Sequence, residues 1–171
     1  MSVINKILSP FRVEIVIVIK GTTSYAEVMT DIDIWLVDSP FGYIHRGFYH
    51  LFREIYPSIY RVLVTLPATT QLVLTGHSLG AAFNTILAVA SPLMPRRIIS
   101  FASPMVGGKD FYYNYIKVQS CTQRFVNYQD IIPKTPIILA YRHVCPAITF
   151  IDGDLDDIVH NHKMSTYAIH C

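Results

Sequence analysis

The sequence predicts an α/β fold, with helices on both faces of a mostly parallel central sheet. A run rich in Val and Ile occurs at residues 11–20, and shorter runs that contain β-branched residues occur at 71–75 and 96–102. Such runs are typical of strands that are buried on both faces of a parallel sheet. Segments with helical periodicity lie between them, at residues 45–66 and 79–90. Strands and helices that alternate in this way build one layered α/β domain.

Length and composition narrow the class of protein. The 171 residues predict one compact domain, 1–171, that buries about 70% of its unfolded surface. A hydrophobic content of 51% against 15% charged residues excludes a disordered chain. A net charge of +2, with no Lys/Arg-rich run, predicts no nucleic-acid partner. Three widely spaced cysteines without a C-x-x-C pair predict no metal site, and the oligomeric state stays open.

The N-terminal segment bears on cellular location. Pro10, Arg12 and Glu14 interrupt the apolar stretch that a signal peptide needs. No apolar run reaches the roughly 18 residues that cross a bilayer. The sequence therefore favours a soluble protein in the cytoplasm.

The first strand, at residues 11–20, leads into a loop with the sequence G-T-T-S. Thr22 in this loop has both a backbone N–H and a hydroxyl to offer to a reacting group, although a simple turn is an equal alternative. Residues 25–43 include the only tryptophan, Trp35, and an ordinary short helix is favoured there over a mobile lid. Pro57 should kink or split the helix predicted at residues 45–66.

Later elements follow the same alternation. Two prolines end the helix at 79–90, and a strand at 96–102 and a helix at 109–118 come next. A strand at 123–128 ends at Asp130. Residues 137–143 and 147–151 predict a hairpin, 152–157 an acidic loop, and 162–170 a terminal helix.

The chain is organised around residues 76–80, which have the sequence G-H-S-L-G. A strand precedes them and an Ala-rich helix follows, and this context turns the motif into a nucleophile elbow. The strand and helix backbones crowd the positions two before and two after Ser78, so only Gly76 and Gly80 fit there. The helix N-terminus then directs free N–H groups at whatever Ser78 attacks.

A serine nucleophile needs a histidine base and a carboxylate that orients the base. In folds with a nucleophile elbow, the order along the chain is Ser, then Asp or Glu, then His. Asp130 is the best-placed carboxylate because it follows a strand directly, and an Asx-turn role is the alternative. His160 and His162 lie at or just before the start of the predicted terminal helix, and the pattern of residues does not separate them.

Several motifs together resemble those of the class 3 lipases, a branch of the α/β-hydrolases. They are I-K-G-T at 19–22, H-R-G-F at 45–48, G-H-S-L-G-A-A at 76–82, F-A-S-P-M-V-G at 101–107, R-F-V-N-Y-Q-D at 124–130, and Y-R-H at 141–143. In this family the catalytic histidine is followed two residues on by an apolar residue and five on by Tyr. His162 matches that spacing and His160 does not. Lys20, Ala102 and Met105 depart from the family pattern.

The resemblance implies an α/β-hydrolase fold and a serine carboxylic-ester hydrolase that acts on lipids such as acylglycerols, without a cofactor or metal. It implies Ser78, Asp130 and His162 as the catalytic triad, and Thr22 and Leu79 as the oxyanion hole. We expect Tyr25, Trp35 and His77 to bind substrate, with contact to a lipid or membrane surface. The alternatives are a non-catalytic scaffold with the same fold, or another serine hydrolase such as a thioesterase or peptidase.

Overall fold

A computed structural model describes residues 5–9, 12–21 and 34–170. The predicted residues Thr22 and Tyr25 lie outside this part of the chain, as does most of the predicted short helix at 25–43. The described strands are β1 (Asn5–Ser9), β2 (Arg12–Ile19), β3 (Leu36–Val37), β4 (Ile44–His45), β5 (Gln71–His77), β6 (Pro95–Phe101), β7 (Thr122–Asn127) and β8 (Ile148–Phe150). The helices are α1 (Arg46–Leu63), α2 (Leu79–Ala90), α3 (Lys109–Gln119), α4 (Ile158–His162) and α5 (Met164–Ala168), with a 3₁₀ turn at Ile132–Lys134.

Six strands form the central sheet in the order β1-β2-β5-β6-β7-β8. Neighbours from β2 to β8 are parallel, and only β1, at the edge, runs antiparallel to β2. The predicted mostly parallel sheet is confirmed. Because these parallel strands run the same way, the carboxyl ends of β2, β5, β6 and β7 lie at one edge of the sheet.

The main core lies between one face of the sheet and the helices α1, α2 and α3. Ile17 on β2 and Leu74 on β5 are register partners, and both are buried against this layer. Ten consecutive residues of α2 are buried, because the helix packs on the sheet and on its helical neighbours. The ring of Phe83 on α2 lies 5.4 Å from that of Phe52 on α1. The buried aromatic rings contribute apolar area that stabilises the layer.

The short helix α5 lies against the opposite face. Its Tyr167 is fully buried, and its ring meets Phe101 of β6 and Phe150 of β8 edge-on. Helices therefore pack on both faces, as predicted. None of the helices in the described ranges is long and apolar enough to cross a membrane.

Two local predictions need correction, and the alternatives predicted for Pro57 are narrowed to one. The predicted hairpin at 137–151 is wrong: the only strand there is β8, which pairs in parallel with β7. Ile137 and Leu139 are strongly exposed in a turn region, so their apolar side chains do not mark a buried strand. The predicted terminal helix at 162–170 is present but shorter, since α5 covers only Met164–Ala168. Lys163, with ψ 141°, separates it from α4, which was not predicted. Pro57 does not split α1, which continues through it.

Candidate active site

Ser78 lies in the sharp turn between β5 and α2. Its backbone has φ 58° and ψ −126°, a conformation that L-residues rarely adopt. A Cβ on Gly76 would lie 2.7 Å from the backbone of Gly80, and a Cβ on Gly80 would overlap the carbonyl oxygen of Ile19. A Cβ on Gly21 would come within 2.9 Å of the Ser78 Cβ. The turn is as crowded as the motif predicts, and it holds the end of β2 beside the serine.

The structure brings the three predicted triad residues together. His162 Nε2 lies 2.8 Å from Ser78 Oγ, and His162 Nδ1 lies 2.8 Å from Asp130 Oδ2. With Nδ1–H donating to the carboxylate, Nε2 carries the lone pair that accepts the serine proton. His160, the alternative base, instead places Nε2 3.6 Å from Asp152 and is nearly half exposed.

Asp130 is fully buried and is surrounded by hydrogen-bond donors. Oδ1 accepts the backbone N–H of Ile132 at 2.9 Å, and Oδ2 also accepts the Tyr167 hydroxyl at 2.7 Å. Burial and the neighbouring Asp130 charge raise the pKa of Tyr167, so this hydroxyl stays protonated and remains a donor. Together with the His162 Nδ1–H, three donors therefore hold the two oxygens of this carboxylate in place.

Asn127, at the end of β7, ties the loop of Asp130 to the segment that carries His162. Its Nδ2 donates to the carbonyls of Asp152 and Asn161, at 2.9 and 3.2 Å. Its Oδ1 accepts the backbone N–H groups of Gln129 and Asp152, at 3.2 and 3.1 Å. The side chain is fully buried, and its amide oxygen and nitrogen make four hydrogen bonds, so it holds two chain segments at a fixed separation.

His77 lies beside the predicted base. Its Nε2 is 2.8 Å from the carbonyl oxygen of His162, and the two imidazole centroids are 4.8 Å apart. Burial, followed by the proximity of His162, lowers the pKa of His77 to about 4. The ring is therefore neutral at pH 7, and Nε2–H donates to the carbonyl. His143 is also neutral: burial and Arg124 lower its pKa to about 4, and it lies 2.6 Å from the Pro133 carbonyl, away from Ser78.

An apolar groove of about 590 Å³ adjoins these residues. The predicted substrate residue His77 lines it, whereas Trp35 does not and is 70% exposed. The walls of the groove come from the ends of β2, β5 and β6, from the 3₁₀ turn and from the α4–α5 segment. The lining includes Val18, Ile19, Gly21, Thr75, Phe101, Ile132, Ile158, Val159, His162 and Met164, with Lys20 and Lys163 as its cationic members.

Some residues of this site were not assigned a role from the sequence. The sequence indicates Tyr167 only through its spacing from His162, and Asn127 only as part of the motif at 124–130. Tyr167 contacts Asp130 and Asn127, which lie 37 and 40 residues earlier in the chain, and Asn127 contacts Asn161, 34 residues later. The fixed spacing from the predicted base was the one available signal for Tyr167. Leu79 begins α2, so its N–H has no acceptor within the helix and is free to face an oxyanion.

Comparison with known proteins identifies the family. The model of the lipase (class 3) family matches residues 16–140. The chain belongs to the class 3 lipase family. It is 28% identical over 162 residues to secreted mono- and diacylglycerol lipase 1 of Fusarium solani, covering 85% of this chain and 46% of that protein. It is 29% identical over 129 residues to secreted mono- and diacylglycerol lipase A of Penicillium cyclopium, covering 66% and 42%.

Solved structures agree on the fold. Lipase II from Rhizopus niveus superposes with a TM-score of 0.69 at 24% identity, over 82% of this chain and 58% of that one. The lipase from Rhizopus microsporus var. chinensis gives 0.67 at 22% identity, over 88% and 57%. The predicted α/β-hydrolase fold is confirmed. The chain spans about half the length of the curated relatives that it matches.

The expected cytoplasmic location is wrong. The relatives from Fusarium and Penicillium are secreted lipases by name, which overturns it. The expectation depended on the composition of a short N-terminal stretch. The composition of that stretch and the packing of the sheet and helices do not indicate a cellular compartment.

Proposed function

We propose that this class 3 lipase family member is a serine carboxylic-ester hydrolase that cleaves acylglycerols through an acyl-enzyme on Ser78. The observation that carries the proposal is the continuous hydrogen-bonded chain from Ser78 Oγ through His162 to Asp130, with 2.8 Å at each step. A strained serine at the end of a parallel strand, aligned with a base and a carboxylate, has the geometry of acyl transfer.

In this mechanism His162 Nε2 takes the Ser78 proton as Oγ attacks the ester carbonyl. Asp130 stabilises the imidazolium, which then passes its proton to the leaving alcohol. Water, deprotonated by the same nitrogen, hydrolyses the acyl-enzyme and regenerates the serine. The Leu79 N–H stabilises the oxyanion, and Thr22 is its proposed partner donor; one such donor is worth about 10²–10³ in rate.

The groove favours an apolar acyl chain. Val18, Phe101, Ile132 and Val159 give it aliphatic and aromatic walls, while the described lining contains no carboxylate. A fatty acyl chain is the part of an acylglycerol that gains most from leaving water for such a surface. The mono- and diacylglycerol lipase names of the relatives support the same substrate class.

We further propose that the rim of this groove contacts a lipid surface. Ile158, Val159 and Met164 line the groove and are 44%, 65% and 39% exposed, and Leu155 close by is 70% exposed. Apolar side chains that project together around a binding groove are typical of contact with another apolar phase. Ser78 itself is fully buried beside this groove.

The test compares wild type with Ser78→Ala on p-nitrophenyl esters of increasing chain length, and then on mono-, di- and triacylglycerol emulsions. We expect turnover that rises with chain length in wild type and is lost in Ser78→Ala at unchanged thermal stability. A fluorophosphonate probe should label wild type alone. A folded wild type with neither turnover nor labelling would favour a scaffold role. Labelling with preference for thioesters or peptides would point to another serine hydrolase.

A further inference from the structure

The backbone of His162 lies at a break between two short helices. α4 ends at His162 and α5 begins at Met164, and the extended ψ of 141° at Lys163 turns the chain between them. The nearby backbone N–H groups of Lys163 and Thr166 donate to the carbonyls of His160 and Lys163. A five-residue helix has little stability of its own, so the position of its last residue depends on tertiary contacts.

His77 supplies one of these contacts. Its Nε2–H donates to the His162 carbonyl at 2.8 Å, and this bond spans 85 positions of the sequence. The two rings also pack against each other, with centroids 4.8 Å apart, and Tyr167 meets His77 edge-on at 5.8 Å. A carbonyl accepts but does not donate, so Nε2 must carry the proton and the neutral ring is held in one tautomer.

Two of the hydrogen bonds to His162 come from consecutive residues of the chain. Ser78 meets its imidazole and His77 meets its carbonyl, each at 2.8 Å. The residue before the nucleophile therefore fixes the backbone of the base, and Asp130 fixes its ring from the other side. Serine attack needs the Oγ–Nε2 separation held within a few tenths of an ångström, and a 1 Å displacement costs on the order of 10² in rate.

We propose that His77 is a positioning residue, which holds the backbone of His162 so that its imidazole stays aligned with Ser78. This role rests on the proposed function and replaces substrate binding as the main task of His77. Although the ring lines the groove, its one N–H is engaged by the His162 carbonyl. It has no second N–H to offer to a bound ester while neutral.

Two variants separate the hydrogen bond from the packing of the ring. His77→Phe keeps an aromatic ring but has no N–H, whereas His77→Gln lacks the ring but carries an amide N–H at a similar reach. We expect kcat to fall about 10- to 100-fold in His77→Phe with KM within about twofold of wild type, the range seen when a supporting bond to a reacting group is lost. His77→Gln should recover most of kcat.

His50→Gln is the matched control, because His50 is exposed on α1. It should match wild type in kcat, KM and thermal stability. The proposal is overturned if His77→Phe keeps wild-type kcat, if either variant raises KM alone, or if Phe is tolerated better than Gln. Both variants should still unfold cooperatively, and if both fail to fold, the role is one in stability and the proposal also fails. An inactive wild type would instead overturn the proposed function, and this inference with it.

Discussion

Removal of the Tyr167 hydroxyl tests how the buried carboxylate is held. In Tyr167→Phe one oxygen is lost, and with it two hydrogen bonds: the one donated to Asp130 Oδ2 at 2.7 Å and the one accepted from the Asn127 N–H at 3.1 Å. All three residues are fully buried, so water does not readily replace the oxygen. The ring contacts with Phe101 and Phe150 remain.

The magnitude follows from these two bonds. A buried hydrogen bond to a charged group contributes about 1.5–3 kcal/mol, and an orphaned buried N–H costs about 1–3 kcal/mol. We therefore expect the free energy of unfolding to fall by about 3–5 kcal/mol, a large share of the total for a small domain. Because Oδ1 still accepts the Ile132 N–H, kcat should fall only about tenfold, well short of the ~10⁴ that accompanies a wrong base tautomer.

The assay is urea unfolding at pH 7.5, followed by kcat on a p-nitrophenyl ester. Tyr115→Phe is the control: Tyr115 is equally buried, but its hydroxyl contacts only Thr122 Oγ1, at 2.9 Å, and Thr122 keeps its bond to Val118. It should cost about 0.5–1.5 kcal/mol, the usual value for a neutral bond. If Tyr167→Phe costs no more than Tyr115→Phe, the carboxylate is not held as described and the reasoning is refuted.

Two further predictions concern histidines. His162→Ala should abolish ester turnover, while His160→Ala should keep most of it, because His160 contacts Asp152 and not Ser78. The measurement is the steady-state rate of each variant on one ester. An inactive His160→Ala variant would reverse the assignment of the base. Burial lowers the pKa of His45 from 6.5 to about 4, so between these values the unfolded chain binds more protons and stability falls as pH falls. His45 caps α1, because its Nδ1 accepts the Phe48 N–H at 3.4 Å. His45→Asn can still cap the helix but does not titrate, so the fall in the free energy of unfolding between pH 6.5 and 4, measured by urea unfolding, should be smaller by up to about 3 kcal/mol. An unchanged fall would show that His45 does not contribute to it.

Long regular elements were predictable because their local pattern and their tertiary environment agree. Ile15 and Ile17 of β2 are buried against the helical layer, and ten consecutive residues of α2 are buried. The elbow was predictable for a steric reason, since the Gly at positions 76 and 80 leaves room that no other residue leaves. In these segments a short stretch of sequence already contains the constraint that shapes it.

The mispredicted segments depend on features that apolar periodicity does not encode. Ile137 and Leu139 have the composition of a strand, but they are exposed, so hydrophobicity did not indicate burial there. No Gly or Pro in the sequence marks the break between α4 and α5 at Lys163. Thr166 Oγ1 donates to the His160 carbonyl at 2.7 Å across this break, a bond between side chain and backbone that helical periodicity does not encode.

The placement of the base therefore depends on side chains outside its own helix. α4 is too short to hold itself, and its residues are anchored by Asn127 through the Asn161 carbonyl and by His77 through the His162 carbonyl. Both anchors sit at the ends of parallel strands in the rigid sheet, β7 and β5. Ser78 follows β5 directly, and Asp130 is the third residue after β7. The sheet thus fixes the nucleophile, the carboxylate and the supports of the base together.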